Sequence, residues 1–340
     1  MKTDEKTEKT MPRENKISPN DGLFGLRDRV LGGYKITKTD AAALVGADLT
    51  ALSLCANQIR ERFCGNAFDM CAIINGKSGG CSEDCKFCAQ SKHNRIPCET
   101  YALLDENEVV RAALYNYKKG VNRFSIVTAG RTLNAAEVGA VCENYKKIGE
   151  ACGIFKCASH GLLNFGDFEK LLAAGVKRYH CNLETSRNFF PNVCTTHSYD
   201  DKIAAIKAAK KAGMEVCSGG IIGLGESFDD RIDMAFDLRE LEIKSVPINV
   251  LNPIKGTKAE NLPVLSEEEV RRTVAIYRFI LPDARLRMAG GRGLFADKGE
   301  KIFMSGANAA ATGDMLTTGG ISIDGDMEII GRLGFKVGLS

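Results

Sequence analysis

From residue 67 onward, short apolar segments alternate with amphipathic ones eight times over, and no other feature narrows the fold as far. The strand-like segments are CAIIN (71–75), RFSIVTA (123–129), FKCAS (155–159), RYHCNLE (178–184), EVCSGGII (215–222), SVPINVL (245–251), RLRMAG (285–290) and NAAATGD (308–314). Between them run helical stretches such as DENEVVRAALYNYKKG, DFEKLLAAG and YDDKIAAIKAAKKAG, several closed by the glycine that commonly ends a helix. Strand–helix alternation implies a parallel sheet with right-handed crossovers. Eight such units predict a (β/α)8 barrel over 67–340, with its chemistry at the C-terminal strand ends. Ahead of it, 21–66 carries helix-period apolar positions, with Thr39 or Asp40 as cap, and predicts a helical extension. Residues 1–20 are charged and lack an apolar core, so they read as a disordered tail and not a secretory signal.

Composition excludes several classes. A formal charge of +3 offers no basic face for nucleic acid or a membrane surface. No apolar run approaches the ~20 residues of a membrane span. Thirteen cysteines without an export signal point to metal or redox chemistry in the cytoplasm, not to a disulfide framework. The only histidines are His93, His160, His180 and His197. A metal site here would therefore be mostly thiolate, the ligand of zinc and of iron–sulfur clusters.

The segment GGCSEDCKFCAQS (79–91) sets Cys81, Cys85 and Cys88 in a C-x3-C-x2-C array just after the first predicted strand. That puts them on the catalytic face of the barrel. Three thiolates leave one iron of a four-iron cubane open, as a catalytic zinc keeps one position for its reactant. Gly79 and Gly80 let the chain bend tightly around such a cluster. The alternative is a structural zinc knuckle completed by His93 or Cys98.

The array resembles that of the radical S-adenosylmethionine (SAM) enzymes. Further along, NLETS, VCSGGIIGLGES, SVPINVLNPIKGT and AGGR follow in the order and spacing of the biotin synthases, so that about residues 60–337 resemble that family. The resemblance implies a [4Fe–4S] cluster on Cys81, Cys85 and Cys88. SAM would be chelated by the open iron and cleaved to a 5′-deoxyadenosyl radical, and sulfur would be inserted between two saturated carbons of dethiobiotin to give biotin. It also implies SAM contacts from Glu184 and from the backbone at Gly219, Gly223 and Gly225, and dethiobiotin contacts from Asn182 and Asn249. Asn182 and Glu184, two apart on a strand, share a face. The partners implied are an electron donor such as flavodoxin or ferredoxin and a second copy of the chain in a homodimer.

The family's sulfur source is an auxiliary [2Fe–2S] cluster held by three cysteines and one arginine. Cys157, Cys217 and Arg287 match three of those positions, whereas the fourth is Ser125, a harder ligand that must first lose its proton. Cys181 and Cys194, on and after the fourth strand, are candidate substitutes, although strand alternation turns Cys181 away from the Asn182 face. The expectation is a rebuilt auxiliary cluster of four-iron type. Cys55, Cys64, Cys71, Cys98, Cys142 and Cys152 read as structural. The lost ligand keeps two other readings open. One is a radical SAM mutase or methylornithine-synthase-like enzyme without sulfur insertion. The other is a non-enzymatic iron–sulfur or metal-binding protein.

Overall fold

The computed structural model describes residues 19–338. The expected tail therefore lies outside the described residues, apart from Pro19 and Asn20, which open the first helix. Helices α1 (Pro19–Leu31), α2 (Lys38–Ala43) and α3 (Leu49–Cys64) precede the first strand. Thr37, not Thr39 or Asp40, caps α2: its hydroxyl accepts from the Asp40 N–H while the Asp40 carboxylate accepts from the Thr37 N–H. This reciprocal pairing satisfies two helix-end donors at once.

Ten strands follow: β1 (Ala67–Lys77), β2 (Arg123–Thr128), β3 (Phe155–Ser159), β4 (Arg178–His180), β5 (Glu215–Cys217), β6 (Gly220–Ile222), β7 (Ser245–Val250), β8 (Arg285–Met288), β9 (Ala309–Thr312) and β10 (Lys336–Val337). Every pairing is parallel, and β1 closes on β9, so the sheet is an eight-stave barrel. The predicted fifth strand is split into β5 and β6, and β10 is a short addition beside the start of β1. The split has a steric cause. A Cβ on Gly219 would lie 1.9 Å from the Pro247 carbonyl oxygen, and one on Gly220 would lie 2.3 Å from that of Glu184. Only glycine lets the chain squeeze between β4 and β7 there.

Helices α4 (Glu106–Lys118), α5 (Ala135–Ala151), α6 (Phe165–Ala173), α7 (Tyr199–Lys211), α8 (Phe228–Glu240), α9 (Glu267–Ile280), α10 (Glu300–Phe303) and α11 (Ile323–Arg332) cover the barrel. Seven of them are N-capped by Asp105, Asn134, Asn164, Ser198, Ser227, Ser266 and Ser322. Each cap satisfies a first-turn N–H and fixes where a rim loop ends. Among the described residues no helix is long and apolar enough to cross a membrane.

Alternation sorts each strand. On β1, Phe68, Met70 and Ala72 enter the apolar core, while Cys71 and Ile73 face the barrel interior. On β2, Phe124 and Ile126 pack outward, and Ser125 and Val127 face in. The interior is thus lined with polar and sulfur-bearing side chains, which an ordinary barrel core would fill with branched apolar ones.

Candidate functional site

The interior forms a cavity of about 390 Å³, reaching from the β1–α4 loop at the rim to a cluster of arginines at the floor. At the rim, the loop carrying Cys81, Cys85 and Cys88 folds back on itself. Cys81 N–H donates to Gln90 O (3.0 Å), Lys92 N–H to Cys81 O (3.0 Å), and Cys88 N–H to Cys85 O (3.2 Å). Asn94 Nδ2 ties down the Cys85 and Cys88 carbonyls at 3.2 and 2.8 Å. Gly79 and Gly80 have φ of 75° and 61°, the left-handed conformation expected of them.

The three thiols are half-buried, and Cys88 lines the cavity. Burial pushes the Cys88 thiol up to about 11, and a hydrogen bond with Cys194 pushes Cys85 far above its usual range. Such thiols ionise when metal replaces their protons. Among the described residues, the one grouping of three Cys, His, Asp or Glu ligand atoms within 4.8 Å is Cys85, Cys194 and His197. Cys81, Cys85 and Cys88 therefore do not converge on a single ion. His93 Nε2 faces the Ser82 carbonyl at 3.0 Å, and Cys98 Sγ lies 3.9 Å from Ser78 Oγ, so neither completes a zinc knuckle.

Below the rim, His180, Asn182 and Glu184 all face the cavity. Cys181 and Leu183 alternate outward into the apolar core, away from the auxiliary position considered for Cys181. Asn182 Oδ1 accepts from Gly219 N (3.2 Å), and its Nδ2 donates to Glu184 Oε2 (3.3 Å). Asn249 on β7 is held at both ends of its amide: Nδ2 donates to Gly220 O (3.1 Å) and Oδ1 accepts from Gly290 N (2.9 Å). Gly219, Gly223 and Gly225 do not line the cavity; Ile221 does. The Gly223 and Leu224 N–H groups are already taken by the Glu226 carboxylate at 2.8 and 2.6 Å, itself paired with Arg231 at 2.6 Å. The turn therefore offers an apolar shelf, with Phe87, Ile221 and Leu251 exposed to the cavity. Lys202 on α7 was not foreseen from sequence. Burial works against its charge, yet Cys181, Glu184, Cys85 and Cys194 raise its pKa.

The floor brings Cys157, Cys217 and Arg287 together, and adds Cys71, which sequence had assigned to structure. Cys71 and Cys157 both line the cavity, close enough for each to shift the other's ionisation. The Cys71 contact lowers Cys157, helped by Arg178 and Arg123, while Cys71 itself is raised. Burial opposes ionisation of Cys217, but the His180 hydrogen bond and the Arg287 and Arg178 guanidiniums bring it down to about 6. Beneath the thiols, Asp69 meets Arg123 (2.8 Å), Arg287 (3.1 Å), Arg178 (3.5 Å) and Arg285 (3.5 Å). Burial alone would raise Asp69, but Arg287, Arg123 and Arg178 hold it well below the usual carboxylate range. Glu215 also takes Arg178 (2.8 Å), so two carboxylates face these four cations. Ser125 Oγ and Arg123 Nη1 are buried without a hydrogen-bond partner. Unspent donors and surplus positive charge fit an anionic, thiolate-bound group.

Cys194 is not at the floor. It sits at the rim beside Cys85, with its Sγ 3.3 Å from His197 Nδ1 and 3.1 Å from Asp84 Oδ1. The Cys85 hydrogen bond, with His197 and Thr196, brings the Cys194 thiol down to about 4.

A parallel barrel with a three-thiol loop on its first strand-to-helix connection and a cavity reaching that rim is the frame of a radical SAM enzyme, and residues 77–238 match the Radical SAM superfamily. Residues 247–336 match the Biotin and Thiamin Synthesis associated domain. The chain is 55% identical to a biotin synthase of Clostridium botulinum, covering 93% of this chain and 99% of the relative, and 55% identical to one of Brachyspira hyodysenteriae, covering 95% and 97%. It belongs to the biotin synthase family, whose members are sulfur-inserting radical SAM enzymes. Solved structures share the fold at lower identity. Methylornithine synthase has a TM-score of 0.80 at 19% identity (92% of this chain, 97% of that one), and the [FeFe]-hydrogenase maturase HydG has 0.78 at 17% (93% and 75%).

Proposed function

We propose that the chain converts dethiobiotin to biotin with two iron–sulfur groups: a [4Fe–4S] cluster and its SAM at Cys81, Cys85 and Cys88, and a rebuilt auxiliary group at Cys71, Cys157 and Cys217 beside Arg287. When bound, these groups supply a 5′-deoxyadenosyl radical and the sulfur atom. One observation carries the auxiliary assignment: Cys71, Cys157 and Cys217 line the same cavity, while Ser125 Oγ, buried on the strand between those of Cys71 and Cys157, has no hydrogen-bond partner. A thiolate is the softer iron ligand, so Cys71 takes the place that Ser125 leaves.

The remaining work falls to the chain's own residues. Asn249, fixed at both ends of its amide, and Asn182 present oriented polar groups to the ureido ring of dethiobiotin. Glu184 accepts from the ribose hydroxyls of SAM, and its negative charge favours the charged form of the buried Lys202 nearby. The shelf of Phe87, Ile221 and Leu251 takes the flat adenine. One cavity running from rim to floor holds substrate carbon and radical source together. A one-electron donor of the flavodoxin or ferredoxin kind serves the rim.

The test is iron and sulfide analysis with Mössbauer spectra of anaerobically prepared protein, beside Cys71→Ala and Ser125→Ala. Loss of the second group in Cys71→Ala, with Ser125→Ala unchanged, is expected. The reverse pattern returns the site to a serine-ligated form.

A further inference from the structure

Two rim loops meet where neither the cavity nor the floor reaches. Asp84 accepts from the Thr195 and Thr196 N–H groups at 2.8 and 3.2 Å, and Lys86 N–H donates to Val193 O at 3.0 Å. This latch presses Cys194 and His197 against Cys85, giving the one grouping of three ligand atoms within 4.8 Å among the described residues. Cys194 and His197 are buried, and His197 Nε2 has no partner. Glu83 Oε2 holds His197 Nδ1 at 2.5 Å, which orients the ring and leaves Nε2 as the nitrogen free to bind an ion. Metal–ligand bonds of about 2.0–2.3 Å arranged tetrahedrally leave ligand atoms roughly 3.3–3.8 Å apart. The ligand atoms of Cys85, Cys194 and His197 all lie within 4.8 Å of one another, close to edges of that size.

We propose that, before its cluster is loaded, the chain binds one zinc-like divalent cation at Cys85, Cys194 and His197, with a water as the fourth ligand. Two soft thiolates with one imidazole suit zinc or ferrous iron, whereas magnesium and calcium need all-oxygen cages. Cys85 cannot serve this cation and the four-iron cluster together, so the two occupants exclude each other. The site thus gates cluster loading, and zinc at it blocks the rim while leaving the floor thiols free.

The experiment uses the full-length Cys81→Ala/Cys88→Ala chain, which lacks two of the three cubane thiols but keeps Cys85. Zinc content and cobalt(II) absorption are measured with and without a third change, Cys194→Ala or His197→Gln. We expect the double variant to bind one more equivalent of zinc than either triple variant. Its cobalt spectrum should show thiolate charge-transfer bands that weaken on each third change. Floor thiols contribute equally to all three proteins and cancel. In the unsubstituted chain stripped of iron, zinc should protect Cys194 from alkylation in peptide mapping, and reloading the cluster should release that zinc. Equal zinc and unchanged cobalt bands across the three proteins, or alkylation of Cys194 indifferent to zinc, overturns the proposal. Neither result bears on whether the loaded cluster cleaves SAM, which is read separately.

Discussion

Rim and floor of one barrel are both thiol sites, yet they are assembled in opposite ways. At the rim, Cys81, Cys85 and Cys88 come from a single loop whose own hydrogen bonds shape it. At the floor, Cys71, Cys157 and Cys217 come from β1, β3 and β5, with Arg287 from β8, and their relative heights are set by strand register. Shifting that register by one residue would turn every inward side chain outward. The floor is therefore a rigid cradle, charged by four arginines around Asp69. The rim is a local device that tolerates exchange of what it holds. A part meant to bind and release a reactant belongs on the loop, and a part meant to hold a reagent in register belongs on the strands.

The sharpest way to break the comparison is to remove one rim ligand. Cys88→Ala should reduce 5′-deoxyadenosine formation to background, because two thiolates do not retain a cubane with one open iron. Iron at the floor should remain, since no floor ligand comes from the loop. Loss of both iron pools together would show the two sites to be one cooperative unit.

Next in size is Cys71→Ala. Biotin formation should fall to background while 5′-deoxyadenosine is still released when dethiobiotin is present, the opposite split from Cys88→Ala. Chromatography of both products from one reaction checks it. A Cys71→Ala protein that makes biotin at the parent rate would return Cys71 to the structural role that sequence gave it.

The same contrast explains what could be seen without a structure. The C-x3-C-x2-C spacing lies within thirteen residues, so the rim was legible at once. The eight strand–helix units were legible from periodicity, and the closure of β1 on β9 follows from them. The place of Cys71 on the cavity wall near Cys157 depends on register across β1, β2 and β3, and β1 itself begins at Ala67, four residues ahead of the apolar run taken as its start. With the longer strand, Asp69, Cys71 and Ile73 fall on one inward face together. Asp69, Arg123 and Arg178 gather only through register across β1, β2 and β4, which no single segment records. Cys194 was seen as an available thiol. Its neighbour is Cys85 and not the floor because the Asp84–Thr195 latch is a contact between distant loops. The glycines of GLGES were taken as a backbone surface, but Glu226 fills that turn from within.

A smaller effect separates the substrate wall from both thiol sites. Asn249→Ala removes polar contacts in the middle of the cavity and leaves Gly220 O and Gly290 N–H without their partner. A buried ureido group of dethiobiotin left without Asn249 costs about 1–3 kcal/mol, roughly five- to 150-fold in affinity. The apparent affinity for dethiobiotin should fall by that factor, while SAM cleavage in the absence of dethiobiotin changes little. Equal loss of both would make Asn249 a structural tie between β7 and the β8 end.

The smallest expected effect is at Ser125, and it sharpens the comparison most finely. Ser125 faces the cavity between Ile73 and Cys157 in register, buried and unpartnered. Ser125→Cys adds a thiol of nearly the same shape at the position where the family places a ligand. If the floor group were still organised around that position, thiolate would displace alkoxide and tighten the site, raising bound iron and biotin yield. If Cys71 has taken the role, the new thiol finds no open coordination position. Iron, sulfide and Mössbauer signals should then match the parent, and biotin yield should stay within about twofold, since isosteric changes in a filled site cost little. The double variant Cys71→Ser/Ser125→Cys completes the test. Restoring the second group there, after its loss in Cys71→Ala, would show that the cradle accepts its thiol from either strand. Failure to restore it would show that the register and charge of the floor now demand the thiol on β1.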